Sequence, residues 1–119
     1  MTREDLNRKV DLAFLAAFYG GLLTETQRRI LSMHCEEDLS LAEIAAEEGV
    51  SRQSVHESLS RAASRLEEME SALGMAERFR RMEEGLNEAL ASMKEKDYDR
   101  AERTLRELLR LDEEEGGGL

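Results

Sequence analysis

The chain has 119 residues, enough for one domain or for one small domain with a helical extension. It contains no proline and is rich in Ala, Leu, Glu and Arg, which predicts an all-α fold. Its net charge of −10 argues against indiscriminate binding to nucleic acid, because affinity for the phosphate backbone comes mainly from Lys and Arg.

The single cysteine excludes an intramolecular disulfide. The apolar stretches are too short to span a bilayer, and the N-terminus lacks the apolar core of a signal peptide. We therefore expect a cytoplasmic protein without a membrane partner.

Two helices are predicted before residue 36, each with a capping box at its start. The first runs from about Glu4 to Tyr19, begins with Thr2 and Asp5, and ends at Gly20-Gly21. We expect it to carry an inward apolar stripe of Leu6, Val10, Phe14, Ala17 and Phe18. The second begins with Thr24 and Gln27, and its apolar side consists of Leu23, Ile30, Leu31 and His34. A polar break at 36–38 follows.

Residues 40–59, SLAEIAAEEGVSRQSVHESL, have the pattern of a helix-turn-helix. Ser40 and Glu43 form a third capping box, Gly49 supplies the left-handed residue that ends the first helix, and Ser51 caps the second. The two helices are expected to pack through one small residue and five apolar ones, namely Ala45, Leu41, Ile44, Val50, Val55 and Leu59. The alternative is a helix-turn-helix that serves only as a packing unit.

The second helix of such a motif presents its first turns to the major groove of DNA. Arg52 would then pair with guanine or with a phosphate, and Gln53 and Ser54 would contact base edges. Arg28 and Arg29, in the helix that precedes the motif, would hold the DNA backbone. Arg61 and Arg65 would extend the same basic surface. The predicted DNA-binding residues are Arg28, Arg29, Ser51, Arg52, Gln53, Ser54, His56 and Glu57.

The motif is part of a longer pattern, since residues 23–68 resemble region 4 of bacterial sigma factors. Residues 4 to about 90 resemble the YlxM-type helix-turn-helix proteins, through the segments AFYGGLLTETQRRIL, EEDLSLAEIAAEEGVSRQSV and RLEEMESALGMAERF. This resemblance implies an all-helical regulatory protein that binds DNA and is associated with the signal recognition particle pathway. The pathway association comes from gene neighbourhood within that family and from no residue of this chain.

Beyond the motif, the apolar spacing alternates between four and three, which is the register of a coiled-coil seam. One seam consists of Val55, Leu59, Ala62, Leu66, Met69 and Leu73. After a break at Gly74, a second seam consists of Met75, Phe79, Met82, Leu86, Ala89 and Met93. The sequence permits either a folded-back hairpin or a two-fold pairing of two copies. We predict a homodimer, because the two seams offer more apolar surface than the small N-terminal core can cover.

Residues 97–115, DYDRAERTLRELLRLDEEE, resemble the second helix of a tetratricopeptide repeat. A single copy cannot build a solenoid, so we predict one final amphipathic helix with a packing face of Tyr98, Ala101, Leu105 and Leu108. The predicted organisation is a helix-turn-helix domain with its N-terminal helix over 1–73, a helical extension over 74–112 and a disordered tail over 113–119.

The sequence offers little that could support catalysis. His34 and Cys35 are adjacent, so on a helix they diverge by about 100° and cannot chelate one ion as an i, i+4 pair does. We expect a buried thiol and, for His34 and His56, two surface imidazoles. Gly20-Gly21 lacks the Lys-Ser/Thr of a phosphate-binding loop. We therefore predict a non-enzyme with no cofactor and no bound metal.

Two functions remain open, and they use different surfaces. The first is a regulator that binds double-stranded DNA, which the helix-turn-helix residues support. The second is an interaction protein that binds signal recognition particle components, whether the GTPase, its receptor or the RNA, through its long helices. The acidic chain suits a basic partner. The identity of that partner is implied by the resemblance alone.

Overall fold

The structure is a computed structural model that describes the backbone of residues 2–116 and the side chains of residues 2–111. Over this range the chain forms only helices and turns, so the predicted all-α class is confirmed. The helices are α1 (Arg3–Tyr19), α2 (Glu25–Cys35), α3 (Leu41–Glu48), α4 (Arg52–Leu73), α5 (Met75–Lys94) and α6 (Tyr98–Gly116), with a 3-10 helix at Gly20–Leu22. No helix in this part of the chain has both the length and the apolar character needed to cross a bilayer.

The chain divides into two compact units, Met1–Ala76 and Glu77–Leu119. The predicted boundary between residues 73 and 74 stays a proposal. The tail predicted as disordered over 113–119 overlaps α6, which continues through Gly116. Residues 117–119 lie outside the described residues.

In the first unit, α1, α2 and α3 all pack against α4. One core cluster consists of Leu12, Tyr19, Leu23, Leu31, Ala62, Ala63 and Leu66. A second consists of Ile30, Ile44, Ala45 and Val55. Val55 and Leu66 are fully buried, so most of the first predicted seam is already covered inside this unit. The expectation that this seam needs a second copy or a hairpin partner is therefore wrong, because three neighbouring helices cover it.

The inward side of α1 differs from the predicted stripe. Leu12 and Tyr19 are buried, with Leu15 and Ala16 packed beside them, whereas Leu6 and Val10 are 52% and 59% exposed. The segment LAFLAAF is apolar on all sides, so the helical period cannot select which side faces the core.

A partly buried hydrogen-bond network joins α1, α4 and the start of α5. The hydroxyl of Tyr19 donates to Oε1 of Glu70 at 2.6 Å and accepts from the backbone N–H of Met75 at 3.0 Å. The same carboxylate oxygen accepts from the N–H of Ala76 at 3.0 Å, so two side chains cap the first turn of α5. Burial raises the pKa of Tyr19, and its hydrogen bond to Glu70 acts in the same direction. Gly74, at φ +62°, makes the break predicted between α4 and α5.

The second unit is an antiparallel hairpin of α5 and α6, which are joined by a three-residue turn at 95–97. Small residues dominate its interior, which consists of Gly85, Ala89 and Ser92 on α5 and Ala101, Thr104 and Leu108 on α6. A Cβ atom added at Gly85 would overlap the side chain of Leu108, so glycine permits this close approach. The predicted packing face of α6 is correct at Ala101 and Leu108. It is wrong at Tyr98 and Leu105, which are 61% and 39% exposed, because small residues on α5 let Ala101, Thr104 and Leu108 fill the contact.

Candidate nucleic-acid interface

α3 and α4 form the predicted helix-turn-helix. Ser40 and Glu43 make a reciprocal capping box, with both bonds at 3.1 Å. Gly49 adopts φ +68° and ends α3, and the hydroxyl of Ser51 accepts from the N–H of Ser54 at 3.0 Å at the start of α4. These local caps fix where α4 begins and therefore which residues occupy its first turn.

The packing between the two helices is close to the prediction. Ile44 and Val55 are fully buried and Ala45 is 7% exposed. Val50 is 43% exposed, so its predicted role in the contact between the helices is wrong. It lies in the turn after Gly49, where α3 has already ended.

The first two turns of α4 project most of the predicted base-contacting residues outward. Arg52, Gln53, His56 and Glu57 are exposed, and Ser54 is half-buried. The amide of Gln53 lies 3.5 Å from a carboxylate oxygen of Glu57, at the limit of a hydrogen bond. The hydroxyl of Ser51, also a predicted contact residue, caps the helix.

The two arginines predicted to hold the DNA backbone have different surroundings. Arg29 donates to both carboxylate oxygens of Glu48, with Nε at 2.9 Å from one and Nη2 at 2.7 Å from the other. This hydrogen-bonded ion pair lowers the pKa of Glu48 and joins α2 to the end of α3. Arg28 is exposed and lines a cleft of about 270 Å³ between α1 and α2, together with Gly20, Cys35 and other residues. Because of its ion pair with Glu48, Arg29 holds α2 against the end of α3 and so stabilises the helix-turn-helix.

A second pair of arginines lines an open groove between α4 and the start of α2. Its α4 wall contains Ser60, Arg61, Ser64, Arg65 and Glu68, and its other wall contains Leu22, Thr24 and Gln27. At 100° and about 1.5 Å per residue, both arginines lie within about 20° of Ser54 around α4 and about 10–16 Å further along it. The groove thus continues one side of the predicted DNA-reading helix. The sequence marked these arginines as basic but could not pair them with α2.

Ion pairs determine which positive charges of the first unit remain available. Residues 1–76 contain eight Lys and Arg residues against fourteen Asp and Glu residues. Three of the basic residues are paired, in Arg8–Glu67 and Arg29–Glu48 at 2.6 and 2.7 Å and in Lys9–Asp38. Across the described residues, no ion pair involves the three arginines of α4, Arg52, Arg61 and Arg65.

The histidines and the cysteine occupy separate environments. His56 is exposed, as predicted. His34 is half-buried, and its Nδ1 is buried without a hydrogen-bond partner among the described atoms. The prediction of a surface imidazole is therefore wrong for His34, because Lys9, Asp38 and neighbouring helices enclose it, and burial lowers its pKa. Cys35 is half-buried, and burial raises the pKa of its thiol. No cluster of three or more potential metal ligands occurs among the described residues.

The capped α3–turn–α4 unit, with the first turns of α4 exposed, defines this chain as a helix-turn-helix protein. Residues 6–108 match UPF0122, described as "Putative helix-turn-helix protein, YlxM / p13 like", and the chain belongs to this family. The predicted resemblance to YlxM-type proteins is thereby confirmed. That description is of a helix-turn-helix family and not of an enzyme family.

Relatives from several bacteria align over most of their length. A UPF0122 protein of Symbiobacterium thermophilum is 42% identical over 94 residues, which cover 79% of this chain and 88% of that protein. A UPF0122 protein of Clostridium botulinum is 36% identical over 88 residues, covering 74% and 81% of the two chains. One from Halalkalibacterium halodurans is 39% identical over 83 residues, covering 70% and 76%.

Proposed function

We propose that this protein is a DNA-binding regulator that places the first two turns of α4 in the major groove. The supporting observation is the exposed start of α4 on a fully capped helix-turn-helix. Arg52 would donate to guanine, Gln53 would pair with adenine, and Glu57 would accept from the amino group of cytosine. Ser54 and His56 lie beside these three residues and complete the contact surface.

We propose that Arg61 and Arg65 contact the phosphate backbone, the role predicted from the sequence for Arg28 and Arg29. Both line the groove on the Ser54 side of α4, and no ion pair in the described part of the chain involves them. Arg29, in contrast, would have to leave Glu48 before it could bind a phosphate. The groove has a volume of about 480 Å³, which is enough to admit a phosphate group beside the hydroxyls of Ser60 and Ser64.

We further propose that the regulator acts as a homodimer in the cytoplasm, where bacterial DNA lies. Two recognition helices about 34 Å apart would match two half-sites separated by one turn of the duplex. The operator would then be a palindrome. We also propose that residues 23–68 resemble region 4 of bacterial sigma factors in structure.

A second candidate function is supported by the excess of acidic residues. The resemblance to YlxM-type proteins implies an association with the signal recognition particle pathway. The protein would then bind the GTPase, its receptor or the RNA, and the helix-turn-helix would act as a scaffold. Fourteen acidic against eight basic residues in the first unit favour a basic protein surface as the partner.

The DNA-binding proposal is tested by selecting duplexes from a random pool and titrating the enriched duplex with salt. Arg52→Ala should weaken specific binding by about 1–3 kcal/mol and reduce discrimination between sequences. Arg61→Ala and Arg65→Ala should weaken binding to all duplexes and reduce the slope of log K against log salt by about 0.9 each. Arg28→Ala removes the same charge from a different cleft and should leave the slope unchanged.

Two results would contradict these assignments. If the wild-type protein binds no duplex better than random DNA at low salt, the regulatory function is wrong. If Arg28→Ala reduces the slope as much as Arg65→Ala does, the backbone contact lies outside the groove. A pulldown from lysate with and without nuclease then separates a nucleic-acid partner from a protein partner.

A further inference from the structure

The two long sides of the α5–α6 hairpin differ sharply in composition. The residues that directly follow the buried ones in sequence are mostly apolar, and the residues that directly precede them are mostly charged. The first set contains Leu86, Leu90, Met93, Leu105 and Leu109, with Glu102 as its one charged member. The second set contains Glu84, Glu88, Ala91, Arg100, Arg103 and Glu107. Helical geometry decides whether each set forms one continuous surface.

In an antiparallel pair of right-handed helices, the positions that follow the contact residues lie on the same side of the pair. Each such position is rotated by about 100° around its own helix axis from the contact residue. Because the two helices run in opposite directions and their contact residues point at each other, both rotations end on the same side of the pair. The ion pair between Glu88 and Arg100, at 3.6 Å, joins two positions that precede contact residues. It therefore places the charged set on one side. The apolar set then lies on the opposite side, which we call the apolar face.

Tyr98 extends this face, because it lies seven residues, or two turns, before Leu105. The six large side chains of the apolar face are each between 39% and 67% exposed. Taking about 200 Å² for one fully exposed side chain of this size, they expose on the order of 650 Å² of surface. The largest apolar patch on a typical monomer is about 300–600 Å². One partner in a standard specific interface buries about 800 Å².

The apolar area buried between α5 and α6 is too small to compensate for the exposed area of the apolar face. The contact residues of the hairpin are small apart from Leu108, so the two helices bury little apolar surface against each other. The larger side chains, such as Leu90 at 63% and Leu109 at 67% exposed, point away from the contact. Most of the apolar surface of this unit therefore lies outside the contact between its two helices.

We propose that the apolar face is the self-association surface of this protein and that its occupant is the same face of a second copy. Two hairpins packed face to face form a four-helix bundle whose interior contains the six large apolar-face side chains of each copy. Such an interface is isologous, so a two-fold axis closes it without further growth. The exposed area is close to what one partner of a stable dimer buries. This proposal rests on the homodimer proposed above and assigns its interface to α5 and α6.

The test is sedimentation velocity of the full chain from low to high micromolar concentration. The wild-type protein should be a dimer. Leu90→Glu and Leu109→Glu should each raise the dimer dissociation constant about 100-fold or more, because each would bury a charge within the interface. Circular dichroism should show wild-type helicity in both variants, since both side chains are mostly exposed within one copy.

Ala91→Glu is the matched control, because it adds the same charge one residue further along α5, on the charged side. This variant should remain a dimer. A monomeric wild type at high micromolar concentration would overturn the proposal and leave the face to a different protein. Dimers of unchanged affinity in Leu90→Glu and Leu109→Glu, or dissociation of Ala91→Glu, would overturn it as well. DNA binding is measured separately, so failure of this interface and failure of the proposed regulator are distinguishable.

Discussion

Removal of one buried hydroxyl group, in Tyr19→Phe, should destabilise the first unit measurably. The ring is retained, so no cavity forms and the apolar packing around it is unchanged. The lost interaction is the 2.6 Å hydrogen bond to the carboxylate of Glu70. A hydrogen bond to a charged group contributes about 1.5–3 kcal/mol. The N–H of Met75 also loses its acceptor, but Met75 is 45% exposed and water can replace the hydroxyl. We therefore expect a loss of about 2 kcal/mol.

Urea unfolding followed by circular dichroism measures this loss. With a slope of about 1–3 kcal/mol per molar urea, the midpoint should fall by about 1 M. The chain contains only one other tyrosine, Tyr98, which is 61% exposed and makes no hydrogen bond through its hydroxyl in the described part of the chain. Tyr98→Phe should therefore stay within about 0.5 kcal/mol of the wild type. Equal midpoints for Tyr19→Phe and Tyr98→Phe would show that the network does not stabilise the fold.

Two other sites test the helix-turn-helix and the neighbouring core. Ala45→Leu should overpack the contact between α3 and α4 and cost about 1–3 kcal/mol, and Gly49→Val should strain a residue at φ +68° by a similar amount. Thermal melts should show both losses; a wild-type melt of Ala45→Leu would mean that the two helices do not pack as described. Burial lowers the pKa of His34 below its ordinary 6.5, so the unfolded chain binds the proton first and stability falls as pH drops below about 6.5. His34→Gln should lose less stability than the wild type between about pH 7.5 and 5.5, and an identical loss would exclude His34 as the cause.

The helix starts could be predicted from the sequence because their signals are local. Thr2, Thr24, Ser40 and Ser51 all cap helices where the sequence placed them. In each case the partner lies three residues away, so no tertiary information is needed. Gly49 was equally predictable, since a left-handed residue was required between two closely spaced helices. The exposed first turns of α4 follow directly from these caps.

The tertiary pairings could not be predicted, because nothing local selects them. Glu48 was one of several acidic residues near the motif, and only the fold brings it to Arg29, nineteen residues earlier. Tyr19 and Glu70 are separated by 51 residues. The apolar residues of α4 had the same register as those of α5, yet most of the α4 set is covered by neighbouring helices and most of the α5 set is exposed. Periodicity identifies an apolar side of a helix but does not identify what covers it.

The ion pairs also change the electrostatic argument about DNA binding. The net charge gave a reason to doubt a DNA-binding role, but binding depends on where the unpaired positive charges lie. Arg8, Lys9 and Arg29 are neutralised by carboxylates. The three arginines of α4, in contrast, lie along the helix that we propose enters the major groove of DNA. So few backbone contacts would give weak non-specific binding in an acidic protein. Discrimination would then depend on base-edge contacts by residues such as Arg52 and Gln53, and affinity on two copies binding together.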